Sequence, residues 1–197
     1  MLADNICRMA EQVGRAQRTR ARILAVALDL FERQGYRATT VSQIADAAGV
    51  TSMTFFRHFP TKDSVLISDP YDPLIAEAVA AQPPESSPLQ RVRLGFLAAL
   101  NDITPAEDTT ARRRVALAAG LPELRGALAV ATLATQDAVV AKLVVQGVDR
   151  VDAAVATAAC LGALTAALFA WPEQPADVTL DAVVRRALDQ LAQGGRL

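Results

Sequence analysis

A chain of 197 residues with 52% hydrophobic side chains has ample material for a core and holds one domain or two small ones. Its formal charge of −1 hides a division: residues 1–62 carry nine basic and five acidic side chains, residues 63–197 eleven and sixteen, so charge that grips phosphate is concentrated at one end. The two cysteines, Cys7 and Cys160, exclude a disulfide framework and a metal-ligand spacing, and fit a reducing cytoplasm.

Residues 1–17 are polar and arginine-bearing with no clear period, and read as a mobile arm. Arg15, Arg18 and Arg20 have the reach for phosphates or an adjacent minor groove, as N-terminal arms do elsewhere; a solvated tail reads equally well. A first helix follows from about Thr19 to Gln34, with Ile23, Leu24, Ala27, Leu28 and Phe31 as its apolar stripe and Gly35 as its stop. Tyr36 and Val41 are expected in the same small core.

Thr40 with Gln43 three residues later forms a capping box, so a second helix starts at Val41 and runs through Ile44, Ala45 and Ala48. Gly49 supplies the left-handed residue at its stop. Thr51 caps a third helix from Ser52 to about Phe59, and Pro60 prevents its continuation. Two short helices joined by a glycine-containing turn make a helix-turn-helix.

Thr61 caps a fourth helix, expected to reach about Ala81 but broken or kinked at Asp69-Pro70-Tyr71-Asp72-Pro73. After the Pro/Ser loop at 82–88, helices are predicted at about 89–101, 106–118, 121–146, 149–171 and 178–193, separated by proline or glycine breaks. Nothing alternates with period two, so the body is all-α. Ala153 to Trp171 is uncharged and long enough to raise a membrane span, but it is dominated by alanine, and a buried central helix is the better account.

The run G-V-T-S-M-T-F-F-R-H-F-P-T-K-D-S-V-L resembles the signature of TetR-type one-component transcriptional regulators, and the likeness extends without a gap from about Arg22 to Leu66. The T-F-F-R-H-F-P-T-K variant, with the Arg-rich centre and Ala-rich C-terminal half, is most similar to the actinobacterial subgroup related to mycofactocin-system regulators. The resemblance implies an all-α fold of about nine helices. It divides the chain into an arm (1–17), a three-helix DNA-binding head with the helix-turn-helix (18–66) and a helical effector-binding and dimerisation body (67–197). The implied partners are double-stranded operator DNA, a small-molecule effector and a second copy, in the cytoplasm, with no membrane and no cofactor.

Within the recognition helix, Thr51, Ser52, Met53 and Thr54 form the first turn, from which base edges are read. Their hydroxyl and methyl groups suit several base edges and the thymine methyl, whereas an Arg-to-guanine or Asn-to-adenine fork is missing, so DNA shape carries part of the readout. By resemblance Thr40, Phe56, His58 and Lys62 hold phosphates, with Arg57 on the same helix. Phenylalanine at 56 replaces the family's usual tyrosine, leaving packing without the hydrogen bond, and the family's lysine at position 52 is serine. A catalytic role for His58, the chain's one histidine, lacks a nucleophile or carboxylate partner.

In the body, the resemblance implies an effector pocket, for which Phe96, Leu100, Leu117, Leu133 and Phe169 are apolar candidates and Gln136 and Asp137 polar ones. Arg112-Arg113-Arg114 fans over about 200° of helix, so at least one guanidinium faces inward or along an interface. An inward Arg113 suits an anionic ligand; three exposed arginines paired with Glu107, Asp108 or Glu123 are the alternative. The last two helices are expected to form a four-helix interface with a second copy, through Val155, Ala159, Gly162, Ala163 and Ala166 on one and Val184, Leu188 and Leu191 on the other.

Overall fold

A computed structural model describes residues 2–68, 72–100 and 104–194, with side chains for 14–68, 74–100 and 104–193. Among these residues there are ten α-helices, two 3-10 turns and no strand. Spatial contacts divide the chain into two units, residues 1–66 and residues 67–197.

The first unit holds α1 (Leu2–Gln34), α2 (Val41–Ala47), α3 (Ser52–His58) and the start of α4 (Ser64–Ile67). Residues 1–17, expected as an arm, are drawn into α1 from Leu2 onward. The physical reason is composition. Ala, Arg, Glu, Gln and Met are strong helix formers, Gly14 is the poorest former there, and a helix already nucleated at residues 19–34 extends cheaply. Ile23, Ala27, Leu28 and Phe31 are buried, with Tyr36, Ile44, Ala45, Phe55 and Phe59 completing the core of the unit. Gly35 and Gly49 take positive φ values of 87° and 61°, the conformation in which glycine carries no Cβ penalty.

The second unit holds α5 (Asp72–Ala80), α6 (Pro88–Ala99), α7 (Pro105–Ala119), α8 (Arg125–Val145), α9 (Arg150–Ala170) and α10 (Leu180–Gly194). The long fourth helix expected from sequence is thus two helices, α4 and α5. Pro73 falls in the first turn of α5, where its missing N–H costs nothing, while Asp69, Pro70 and Tyr71 lie outside the described residues. Val79, Val92, Phe96, Val139, Leu143, Cys160, Trp171 and Leu188 are buried in one core. Gly95 sets the distance between α5 and α6: a Cβ there would lie 2.4 Å from Val79 Cγ2 and 2.6 Å from Val79 Cα.

Two arginines fix the ends of helices in this body. Arg91 is fully buried, and its guanidinium donates to Gln146 Oε1, while Gln146 Nε2 donates to Ala80 O (2.9 Å). The cation therefore sits at the C-terminal ends of α5 and α8, where helix dipoles offset its charge. Arg112 donates to the carbonyl oxygens of Trp171 (3.3 Å), Gln174, Pro175 (3.0 Å) and Val178 (3.3 Å), which form the connection between α9 and α10. Asp108, one turn earlier on α7, accepts from Leu180 N at 2.6 Å and caps α10. The arginine cluster thus serves the scaffold at Arg112, and Arg114 donates to Ser68 O. Arg113 is half-buried.

The segments Pro122–Val145 and Arg150–Glu173 are long and apolar enough to cross a membrane, with mean hydropathies of 1.6 and 2.0. Here α8 and α9 pack against each other and against α5, α6 and α10. One side of α9 stays open. Val151, Val155, Ala158, Gly162, Ala166 and Phe169 recur along it at helical spacing and are exposed.

Candidate nucleic-acid interface

The head presents α3 on a rigid base, and each end of the motif is fixed by its own side chains. Thr40 Oγ1 accepts from Gln43 N (3.2 Å) and Gln43 Oε1 accepts from Thr40 N (2.8 Å), the reciprocal capping box read from sequence. Gln34 Nε2 donates to Gln43 Oε1 and to Thr39 Oγ1, tying the end of α1 to this cap. Thr51 Oγ1 caps α3 by accepting from Thr54 N at 3.1 Å. Thr61 Oγ1 does the same for α4 through Ser64 N.

Phe55 and Phe59 point inward, with ring centroids 5.9 Å apart, and hold α3 by its buried side. The opposite side carries Ser52, Met53, Phe56 and Arg57, all exposed. Phe56 meets Phe55 edge-on at 5.5 Å, so its ring stands on the core while its outer edge is open. Arg18 is exposed on α1 and Thr40 is exposed at the start of α2.

Two of the expected phosphate ligands are instead engaged inside the head. Arg20 donates to His58 O and lies over the Phe59 ring at 4.1 Å, so it locks α1 to the end of α3; burial lowers its pKa from the ordinary value. Lys62 Nζ donates to Tyr36 O (2.9 Å) and Thr39 O (3.0 Å) and lies 4.1 Å from the centre of the Tyr36 ring. The Tyr36 hydroxyl in turn donates to Asp63 Oδ1. The sequence signal for these ties is absent because the partners lie 23 to 38 residues apart.

His58 is half-buried, and its pKa is lowered, first by burial and then by the charges of Arg57 and Arg20. Its imidazole is therefore neutral near pH 7 and keeps one ring N–H to donate.

The body places the proposed ligand residues apart. Phe96 and Leu100 are core; Leu117 and Gln136 are half-buried; Leu133, Asp137 and Phe169 are exposed. The period of α8 explains the division, since Thr135, Val139 and Leu143 take its inner side and leave Leu133 and Asp137 on the outer one. Among the expected interface residues, Val155, Gly162 and Ala166 are exposed and Ala159, Ala163 and Leu191 half-buried, whereas Val184 and Leu188 are buried within their own chain's core. Beside the open face, a groove of about 540 Å³ runs between α9 and α10, lined by Ala163, Ala166, Ala170, Val183, Arg186 and Gln190.

Comparison with known sequences agrees with this geometry. Residues 23–68 match the family described as bacterial regulatory proteins, tetR family, and residues 86–196 match the one described as MftR C-terminal domain. The chain belongs to the tetR family of bacterial regulatory proteins. Among tetR-type relatives, the HTH-type transcriptional regulator TcmR of Streptomyces glaucescens is 39% identical over 93 residues, covering 46% of this chain and 41% of the relative. The HTH-type transcriptional repressor KstR2 of Rhodococcus jostii is 47% identical over 47 residues, 24% of this chain and 23% of its own. The chain thus spans less than half the length of these curated relatives. The fold is shared with FadR of Bacillus subtilis, solved with stearoyl-CoA (TM-score 0.56, 19% identity, 88% of this chain and 98% of that one). It is shared equally with SmeT, solved with triclosan (TM-score 0.56, 20% identity, 89% and 90%).

Proposed function

We propose that this tetR-family protein is a homodimeric repressor that binds operator DNA through α3 and releases it when a small molecule enters its helical body. One observation carries the DNA half of this reading: α3 is capped, held from behind by Phe55 and Phe59, and turned outward along its whole opposite side. Dimerisation is supported by the open apolar side of α9, which water covers at a cost and a second copy would cover without one. Dimeric heads imply half-sites about one helical turn apart, ~34–36 Å, or a small multiple of it. Effector binding is supported by the two solved relatives that hold stearoyl-CoA and triclosan on the same fold. Release then follows if the effector binds better to the state that does not fit DNA. The match over residues 86–196 supports placement beside the mycofactocin-system regulators, and so a cytoplasmic, non-enzymatic role.

Fluorescence anisotropy with DNA from upstream of the protein's own gene, against random DNA of equal length, tests this across a salt series. Preferential binding that weakens steeply with salt is the expected result. No binding to either DNA at low salt would abandon the reading, and binding that no effector candidate releases would favour a ligand-insensitive regulator.

A further inference from the structure

The outward side of α3 carries its hydrogen-bonding groups at its flanks, and what stands between them is chemically selective. At 100° per residue, Ser52, Phe56, Met53 and Arg57 succeed one another across the exposed side of the helix. Its centre is therefore the pair Met53 and Phe56, 79% and 47% exposed, with a hydroxyl on one flank and a guanidinium on the other. The threonine hydroxyls that sequence offers to bases are turned toward each other: Thr51 Oγ1 donates to Thr54 Oγ1 at 3.1 Å while accepting from Thr54 N. These two bonds commit the Thr51 proton and one lone pair of each hydroxyl to the cap, so the largest exposed surface that α3 turns to a base is apolar.

In the major groove one base presents an apolar group, thymine, through its C5-methyl. Charge at this end of the chain favours a nucleic acid as the occupant, since residues 1–62 carry nine basic side chains against five acidic. Resting on the DNA-binding reading above, the geometry points to Met53 and Phe56 as the residues that set base preference, by packing on thymine methyl groups in each half-site. Arg57, at the edge of the same side, is placed for the sugar-phosphate strand beside them. Met53 has rotatable bonds enough to seat its thioether on a methyl at more than one register, whereas Phe56 is fixed by its contact with Phe55.

The test uses the full-length protein and duplexes it selects from a randomised pool. The recovered site is resynthesised with deoxyuridine for each thymidine in turn, which removes the methyl group and nothing else. At one or two positions per half-site, binding should weaken about fourfold for each methyl removed. Met53→Ala should bind the thymidine duplex more weakly and lose the distinction, and Met53→Leu should regain it. Because Met53 is exposed, circular dichroism of both variants should match the parent. Equal affinity for thymidine and deoxyuridine at every position overturns the proposal and leaves the DNA-binding reading standing. A Met53→Ala protein that discriminates as well as the parent overturns it too, and assigns the methyl contact to a residue other than Met53. A pool from which no sequence is enriched overturns both readings.

Discussion

Arg18 and Arg20 are two positions apart on α1, read alike in the sequence, and have different tasks. Arg20 bonds His58 O and covers Phe59, so it sets how α3 leans on α1; Arg18 is exposed. Arg20→Ala should therefore lower the stability of the head by about 1.5–3 kcal/mol, the range for a hydrogen bond to a charged group, as read from urea unfolding. Arg18→Ala should leave that stability unchanged. If Arg18 reaches a phosphate, the same variant lowers the slope of log affinity against log salt by about one. The caps at Thr40, Thr51 and Thr61 were legible because each acts within three residues of itself. The Arg20 and Lys62 ties were not, since a side chain that reaches across the fold leaves no periodic trace.

Helix positions were readable where a breaker stood beside a cap, and least readable where composition alone decided. The sequence of residues 1–17 has no apolar stripe, so pattern gave no helix, yet its residue types permit one and α1 supplies the nucleus. The break between α4 and α5 was legible from its prolines. The crossing of α5 over α6 was not, because Gly95 looks like any helical glycine until Val79 is placed against it. Gly95→Ala should lower the stability of the body by about 1–3 kcal/mol, since the Cβ meets Val79 backbone as well as its side chain and neither helix can yield cheaply. Gly162→Ala is the control: nothing lies within 4 Å of a Cβ there, so only the helix-propensity gain of about 0.5–1 kcal/mol remains and thermal unfolding should shift slightly upward, opposite in sign to Gly95→Ala.

For the whole molecule, the small-residue character of α9 is legible in the sequence, whereas the burial of Val184 and Leu188 within their own chain is not. Val184 and Leu188 looked suited to a partner because α10 is strongly amphipathic, but a single apolar stripe can be buried once, and the chain's own core takes it. Residues outside that stripe, Arg186 and Gln190, line the groove with the alanines of α9. The expected pocket residues scatter for a related reason: without the positions of neighbouring helices, an apolar residue on α8 or α9 reads the same whether it faces inward or outward. Val155, 63% exposed and one turn into the open side, is a position at which a buried charge should oppose assembly. Val155→Arg should sediment as a monomer with an unchanged helical spectrum, and should lose the tight operator binding that needs two heads at once.

Cys160 lies at the heart of the body with no exposed surface, and burial pushes its thiol up to about 11. At neutral pH it is neither charged nor reachable, and the thiolate is the reactive form. An alkylating reagent can therefore modify it only in those moments when α9 parts from its neighbours. With Cys7 replaced by serine, the rate of alkylation becomes a clock for the opening of the body, readable by mass. An effector that seats among these helices slows that clock, and so announces itself before its identity or its operator is known.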